Sequence, residues 1–208
     1  MTPRPVTATE NTSVDKALQT MRDEKIRRLP ILDKHSRLVG IVSELDLMKA
    51  SPSPATSLSM WEIPYLLSKI KMRDIMTREV ITVTEDTPLE DAARIMADRK
   101  IGGLPVMRDD KLVGIITETD LFKIFVEMLG ARDGGIRLSM LVPAEKGILA
   151  KIAGAIAGMD GNIIALGAMM GDDPTNRELM IKVAEVPGEQ LVSAMENLGL
   201  KILDVREA

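Results

Sequence analysis

Cysteine is absent from the 208-residue chain, and histidine and aromatic residues are scarce. Without cysteine the chain can form no disulfides, thiolate nucleophiles, iron–sulfur clusters or cysteine-ligated zinc sites. The single histidine, His35, excludes metal sites that need two histidines and leaves one candidate for histidine-based acid–base catalysis. One Trp, one Tyr and two Phe are too few for a platform that stacks the bases of single-stranded nucleic acid.

Neither an excess of positive charge nor a long apolar run is present. The formal net charge of −4 gives no electrostatic field for capturing DNA or RNA. No apolar run approaches the ~18–20 residues that a membrane-spanning helix needs, and the N-terminus lacks the apolar core of a signal peptide. We therefore expect a cytoplasmic protein with no nucleic-acid partner and no membrane association.

An internal repeat organises the first two thirds of the chain. Residues 25–30 (KIRRLP) correspond to residues 100–105 (KIGGLP), which is an offset of 75 residues. After a one-residue gap, residues 38–47 correspond to residues 112–121. Two copies at this spacing indicate a duplicated domain with a pseudo-twofold axis rather than a solenoid.

The periodicity of each copy predicts the element order β-α-β-β-α, and residues 136–207 read as β-α-β-β-α-β, the split ferredoxin-like arrangement. In the second copy, we expect a strand over Val80–Thr84 and a helix whose N-cap is Thr87, with Pro88 as its first residue. The fold class is α/β (α+β). The expected boundaries are a first repeat over 1–56, a connecting helix over 57–71, a second repeat over 72–130 and a C-terminal domain over 135–208.

The candidate site residues are a hydroxyl and a carboxylate at the same place in each copy: Ser43 with Asp46, and Thr117 with Asp120. Each pair lies where a predicted strand runs into a helix. A helix N-terminus favours anions, a carboxylate can bind both hydroxyls of a ribose, and Ser or Thr can donate to a phosphate oxygen. The same spacing is also nearly a capping box, which needs no ligand, and duplication would copy a cap as readily as a site.

The repeat resembles the tandem CBS-domain pair, or Bateman module. The resemblance lies in residues 26–31 and 38–47, in their partners at 101–106 and 112–121, and in Met76-Thr77 at the repeat start. It covers residues 1 to about 130. The resemblance implies a cleft between the repeats that binds an adenosyl ligand such as AMP, ADP, ATP or S-adenosylmethionine, with Ser43, Asp46, Thr117 and Asp120 as contacts.

The two copies differ where Arg27-Arg28 corresponds to Gly102-Gly103. Arginine suits bidentate phosphate contacts, and in related modules basic residues at this position reach the phosphate of a ligand whose ribose the other repeat holds. We therefore expect two unequal sites, one with Thr117 and Asp120 facing the arginines and one with Ser43 and Asp46 facing the uncharged glycines. An alternative is that the arginine pair is a solvated face.

Residues 135–208 resemble an ACT domain, a small regulatory fold, at Gly147-Ile148-Leu149 and Gly161-Asn162-Ile163. The usual Asp-x-Pro-Gly turn of that family is here Ala144-Glu145-Lys146-Gly147, without its Asp and Pro, so a dimerisation role is favoured over amino-acid binding. A CBS pair followed by an ACT domain is similar to the layout of acetoin-utilization proteins of the AcuB type.

These features lead us to expect a non-catalytic regulator. It would sense an adenosyl ligand between its CBS repeats and relay binding through a homodimer and the ACT-like domain to an unidentified regulated protein. No catalytic residues, metal site or catalytic cofactor are expected, because the chain has no nucleophile–base pair, metal constellation or phosphate loop. The alternatives are an amino-acid-responsive ACT regulator and a dimerising interaction scaffold without a ligand.

Overall fold

The computed structural model of the chain describes residues 1–51 and 62–207. These residues divide into two compact units, Met1–Leu121 and Phe122–Ala208. Residues 57–61 of the expected connecting helix lie outside the described residues, and the described part of the connection contains helix α3 over Glu62–Lys69. No helix in the described part of the chain is long and apolar enough to cross a membrane.

The first unit contains both copies of the repeat. The first copy consists of β1 (Thr2–Pro3), β2 (Ala8–Thr9), α1 (Val14–Asp23), β3 (Arg28–Leu32), β4 (Leu38–Ser43) and α2 (Glu44–Ala50). After α3 and the short α4 (Met72–Ile75), the second copy consists of β5 (Val83–Thr84), α5 (Leu89–Arg99), β6 (Gly103–Arg108), β7 (Lys111–Thr117) and α6 (Glu118–Met128). The last helix continues past the end of the first unit.

The two copies form matching small sheets. The first has the strand order β2-β3-β4, and the second has the order β1-β7-β6-β5. In both, the central hairpin has a register shift at the same place, between Ile31 and Leu32 and between Val106 and Met107. Mixed α/β structure and duplication, both expected from the sequence, are thus present in the first unit.

A short extended segment of each copy also pairs with a strand of the other copy. Thr2 pairs with Ile115 of β7. The equivalent Thr77 forms a bridge with Ile41 of β4, in which each residue donates its backbone N–H to the carbonyl oxygen of the other at 3.0 Å. The residues that precede this bridge join the core of the first copy, since Met72 and Met76 are buried with Leu29, Ile31, Val42 and Leu47. The reciprocal pairing relates the two repeats by a pseudo-twofold operation and ties them together.

Two local expectations in the second copy need correction. Only Val83 and Thr84 of the expected strand Val80–Thr84 are in a strand, because only these two residues pair with β6. Helix α5 has Pro88, not Thr87, at its N-cap. The Thr87 hydroxyl oxygen instead accepts a hydrogen bond from the backbone N–H of Thr84 at 3.1 Å, so it closes the turn before the helix.

The second unit has its own sheet and core. After the end of α6 it contains β8 (Ile136–Pro143), α7 (Ile148–Ala157), β9 (Asn162–Met170), β10 (Asn176–Ala184), α8 (Gly188–Asn197) and β11 (Lys201–Glu207). The four antiparallel strands have the spatial order β11-β8-β10-β9. Both helices pack on one face of this sheet, where Ile152, Ile156, Leu191 and Met195 are buried against Leu138 and Met140.

The opposite face of this sheet holds a buried lysine. Lys182 of β10 is 3% exposed, and its Nζ donates a hydrogen bond to the carbonyl oxygen of Gly130 at 3.0 Å. Gly130 follows α6 and has a positive φ of 57°. A Cβ there would also be within 2.6 Å of Ile164. The segment after α6 is therefore held closely against this face of the sheet.

Candidate functional site

The first candidate pair lies at the junction of β4 and α2. Ser43 is the last residue of β4 and the N-cap of α2. Its Oγ accepts from the backbone N–H of Asp46 at 3.3 Å, while Oδ2 of Asp46 accepts from the Ser43 N–H at 2.8 Å and from the Ser43 hydroxyl at 2.6 Å. This is a complete capping box built with aspartate instead of glutamate.

The second pair repeats this geometry at the junction of β7 and α6. Oδ2 of Asp120 accepts from the backbone N–H and the hydroxyl of Thr117, both at 2.9 Å. The Thr117 hydroxyl oxygen accepts from the Asp120 N–H at 3.4 Å. In both copies the first residue of the helix also has a partner for its backbone N–H. Glu44 donates to the carbonyl oxygen of Arg27, and Glu118 donates to that of Gly102.

The capping interpretation is thus realised in both copies. Each aspartate uses Oδ2 for the cap, and in the described part of the chain no hydrogen bond reaches Oδ1 of Asp46 or of Asp120. Capping and ligand binding are therefore compatible, since the second carboxylate oxygen keeps its acceptor capacity. The residues around each pair therefore distinguish a purely structural cap from a candidate ligand site.

A cavity of about 470 Å³ lies beside the first pair. Both repeats line it, and its walls combine polar, basic, apolar and acidic residues. Ser43 and Asp46 lie among the polar residues, and the basic residues are Arg27, Arg28 and Lys100. The apolar residues are Ile41, Leu45, Val80, Ile81 and Ile101, and Glu44 and Glu79 add negative charge. This volume falls within the range of about 300–1,000 Å³ that is usual for small-molecule sites.

Arg28 reaches across this cavity from the first repeat to the second. A Cβ added to Gly102 would overlap the Arg28 guanidinium, and one added to Gly103 would lie 2.9 Å from its Cδ. The Arg28 Nη2 is 3.5 Å from Oε2 of Glu118, the residue after Thr117. Burial lowers the pKa of Arg28, Glu118 opposes this effect, and the like charge of Arg27 adds to it. The glycine pair therefore makes room for an arginine from the other repeat.

The arrangement corrects the expected division of charge between two sites. Ser43 and Asp46 do face Gly102 and Gly103, as expected, but Arg27 and Arg28 line the same cavity. The physical reason is the hairpin of the first repeat, which pairs Arg28 directly with Ser43. The cavity at Ser43 and Asp46 therefore contains the basic residues Arg27, Arg28 and Lys100, which are balanced in number by Glu44, Asp46 and Glu79, and neither Thr117 nor Asp120 is among the described residues that line this cavity.

Two residues beside the cavity were missed from the sequence. Lys100 is the C-cap of α5 and has a left-handed backbone with a φ of 54°, as does its equivalent Lys25, with a φ of 53°. Glu118 is the partner of Arg28. A glutamate follows the capping hydroxyl in both copies, and that shared position was the one available signal for Glu118.

Comparisons with known proteins agree with the duplicated architecture. The family model of the CBS domain matches residues 1–53 and 72–127. The chain is 35% identical to L-aspartate semialdehyde sulfurtransferase of Methanocaldococcus jannaschii over 122 residues, which cover 58% of this chain. The chain spans only 21% of that enzyme's length.

Two solved structures resemble the CBS pair. The acetoin utilization protein AcuB of Vibrio cholerae is 32% identical, with 64% of this chain and 91% of that chain covered at a TM-score of 0.52. CBSX2 of Arabidopsis thaliana, solved in complex with AMP, is 35% identical, with 61% of this chain and 92% of that chain covered at a TM-score of 0.49. With both repeats matched by the family model, the chain belongs to the CBS-domain family and carries a tandem pair of these domains.

Proposed function

We propose that this chain is a non-catalytic regulatory protein that senses an adenosyl ligand, either AMP, ADP, ATP or S-adenosylmethionine, between its CBS repeats. One observation carries the proposal. The cavity at Ser43 and Asp46 brings a carboxylate, an apolar wall and three basic side chains into one space of about 470 Å³. A nucleotide presents complementary groups in a ribose, an adenine ring and a phosphate.

The wall residues suit these groups individually. The Oδ1 atom of Asp46 can accept from ribose hydroxyls while Oδ2 keeps the cap. The apolar residues, such as Ile41 and Val80, offer a surface for the adenine ring. Arg27 and Arg28 offer donors for phosphate, and the planar guanidinium suits bidentate contacts. We propose Thr117 and Asp120 as a second position, because this pair has the same geometry. We propose it as the weaker one, because neither residue is among the described residues that line the cavity.

Binding at this cavity would couple the repeats, because both contribute to its walls. A ligand that prefers one arrangement of the two repeats shifts the population toward it by its difference in affinity for the two arrangements. We propose that this shift is relayed to a regulated protein through residues 135–208, as an ACT-like domain. The element order and the antiparallel four-stranded sheet of this region support that assignment.

We also propose that the relay uses a homodimer. The part of helix α6 in the second unit carries three exposed apolar side chains, Phe122, Phe125 and Met128, at 68%, 57% and 66% exposure. They recur at i, i+3 and i+6, which places them near one face of the helix. Sedimentation analysis tests this directly: a dimer that becomes a monomer in Phe122→Glu is expected, and a monomeric wild type would contradict it.

The ligand proposal is tested by thermal unfolding with AMP, ADP, ATP, S-adenosylmethionine and the common amino acids. A ligand at 100 times its dissociation constant adds about 2.7 kcal/mol. For a chain of this size the melting temperature should rise by roughly 5–10 °C. We expect such a rise with at least one adenosyl ligand and its loss in Asp46→Ala.

A matched control separates ligand loss from cap loss. Asp74 accepts a hydrogen bond from the N-cap residue Lys71 of α4 at 2.9 Å, as Asp46 does for α2, but it does not line the cavity. Asp74→Ala should therefore lower the melting temperature and keep the ligand-induced rise. A wild type that responds to no adenosyl ligand, or that converts one to product, would contradict the proposal, and a response to amino acids alone would favour the amino-acid regulator.

A further inference from the structure

The contact between Arg28 and Glu118 lies where the proposed ligand would place its negative charge. Among the described residues this is the one ion pair that joins the two repeats. The Arg28 side chain is 20% exposed and the Glu118 side chain 51% exposed. Arg28 is thus held in the cavity wall, while its carboxylate partner can turn into solvent.

Arg28 makes contacts on three sides. Its side chain lies against Gly102 and Gly103, it starts β3 opposite Ser43, and its guanidinium meets Glu118. Arg27 is the neighbouring like charge. An anion that enters the cavity therefore meets an arginine that already has a carboxylate partner.

We propose that Glu118 is a specificity-determining residue that opposes the binding of anionic ligands by competing for Arg28. The inference rests on the proposed function and deepens it. A phosphate group must displace the Glu118 carboxylate or share the guanidinium with it, and either event reduces the gain from the new contact. An adenosyl ligand without a phosphate leaves the ion pair intact and is not penalised. Glu118 thus lowers the affinity of the cavity for phosphate-bearing ligands and leaves its affinity for neutral adenosyl ligands unchanged.

The magnitude follows from the exposure of the pair. A partly exposed ion pair contributes little, so removing the competitor should tighten AMP binding by about two- to five-fold rather than by orders of magnitude. Adenosine, which has the same base and ribose without charge, should bind Glu118→Gln with unchanged affinity. Because glutamine keeps the size of the side chain and the backbone N–H bond to Gly102, the fold should not be affected.

Isothermal titration with AMP and adenosine tests this in wild type, Glu118→Gln, Arg28→Met and the double variant. The expected result is tighter AMP binding in Glu118→Gln, no change for adenosine, and no effect of the glutamine once Arg28 is methionine.

The outcomes separate the two levels of the proposal. A gain in AMP affinity in Glu118→Gln that persists when Arg28 is methionine would reflect the general electrostatic field of the carboxylate and overturn the competition. Wild-type binding of AMP with no gain in Glu118→Gln would overturn the competition alone. If neither AMP nor adenosine binds the wild type but another adenosyl ligand raises its melting temperature, the competition fails alone. If no adenosyl ligand binds, the proposed function fails, and the competition fails with it.

Discussion

The guanidinium of Arg28 occupies the space that a side chain on Gly102 would need. A Cβ at residue 102 would lie 2.7 Å from Cζ of Arg28 and closer still to Nη2. This explains why the two copies differ at this position. Residues 27–28 of one repeat approach residues 102–103 of the other, so that a second pair of arginines would collide with the first and repel it. One arginine pair and one glycine pair form a complementary set.

Filling that space should lower the affinity for AMP more than it lowers the stability of the fold. In Gly102→Ala the new methyl group overlaps the far end of a flexible side chain, so Arg28 can swing away at little cost in stability. The position from which we propose that Arg28 binds phosphate is then lost. We expect AMP affinity to fall about ten-fold while the melting temperature changes by no more than about 3 °C. Titration calorimetry and thermal unfolding measure the two effects, and unchanged AMP affinity would contradict this account of Arg28.

Adding a methyl group at Gly40 should instead destabilise the first unit. A Cβ there would lie 2.8 Å from Cγ of Met76 and 3.1 Å from its Cβ, and Met76 is 8% exposed. Overpacking of this kind costs about 1–3 kcal/mol. Urea denaturation of Gly40→Ala should show this loss in the free energy of unfolding.

The equivalent glycine of the other repeat supplies the control for that prediction. A Cβ at Gly114 would meet Sδ of Met1 at 2.7 Å, but Met1 is 49% exposed and can move aside. Gly114→Ala should therefore cost less than Gly40→Ala. Equal losses would show that the burial of the facing methionine does not control the effect.

The carboxyl group of Asp33, in the hairpin turn of the first repeat, should titrate at an unusually low pH. Asp33 accepts hydrogen bonds from the backbone N–H groups of Arg37 and His35 and from the Arg37 side chain. The Arg37 N–H has the largest effect, and together these contacts lower the pKa of Asp33 to about 2. Because the folded pKa lies below the unfolded value of about 3.9, the stabilisation is fully present above pH 4 and is lost as the pH falls toward 2.

Carbon-detected NMR of the Asp33 carboxyl group measures this pKa directly. Arg37→Gln removes the side-chain partner and keeps the two backbone donors, so the midpoint should rise but remain below the ordinary value for aspartate. A wild-type midpoint near 4 would contradict the hydrogen-bonded turn.

In the second unit, Lys182 should control how firmly residues 129–135 lie on the sheet. Lys182→Met keeps the length of the side chain but removes the hydrogen bond to the Gly130 carbonyl. We expect faster amide hydrogen exchange in residues 129–135, with little change in the helices on the opposite face. Lys201→Met, on the exposed start of β11, is the control, and unchanged exchange in Lys182→Met would show that the bond does not hold the segment.

Local sequence patterns predicted the second unit well. The element order expected over residues 136–207, β-α-β-β-α-β, is the order in which β8, α7, β9, β10, α8 and β11 follow one another. Alternating apolar residues and glycine-containing turns are sufficient here, because every strand is at least seven residues long. The strand expected over Val80–Thr84 was wrong at its start, because a β-branched run alone does not supply a pairing partner.

The site was only partly predictable for a related reason. The spacing of Ser43 and Asp46 indicated both the cap and a candidate contact, and the cap is present. The partner of the arginines depends on contacts between repeats, and a single repeat's sequence does not contain them. The pairing of Arg28 with Ser43 was nevertheless implied by the hairpin, which ends with these residues opposite each other.

The most direct test of the central claim is a calorimetric titration of wild type, Asp46→Ala and Asp120→Ala with AMP, ADP, ATP and S-adenosylmethionine. The account predicts that at least one of these ligands binds the wild type, with the tightest site lost in Asp46→Ala. That site lies beside Arg27, Arg28 and Lys100 and therefore should not depend on the carboxylate of the other repeat. No binding of any of the four ligands by the wild type, or loss of the tightest site in Asp120→Ala but not in Asp46→Ala, would contradict the account.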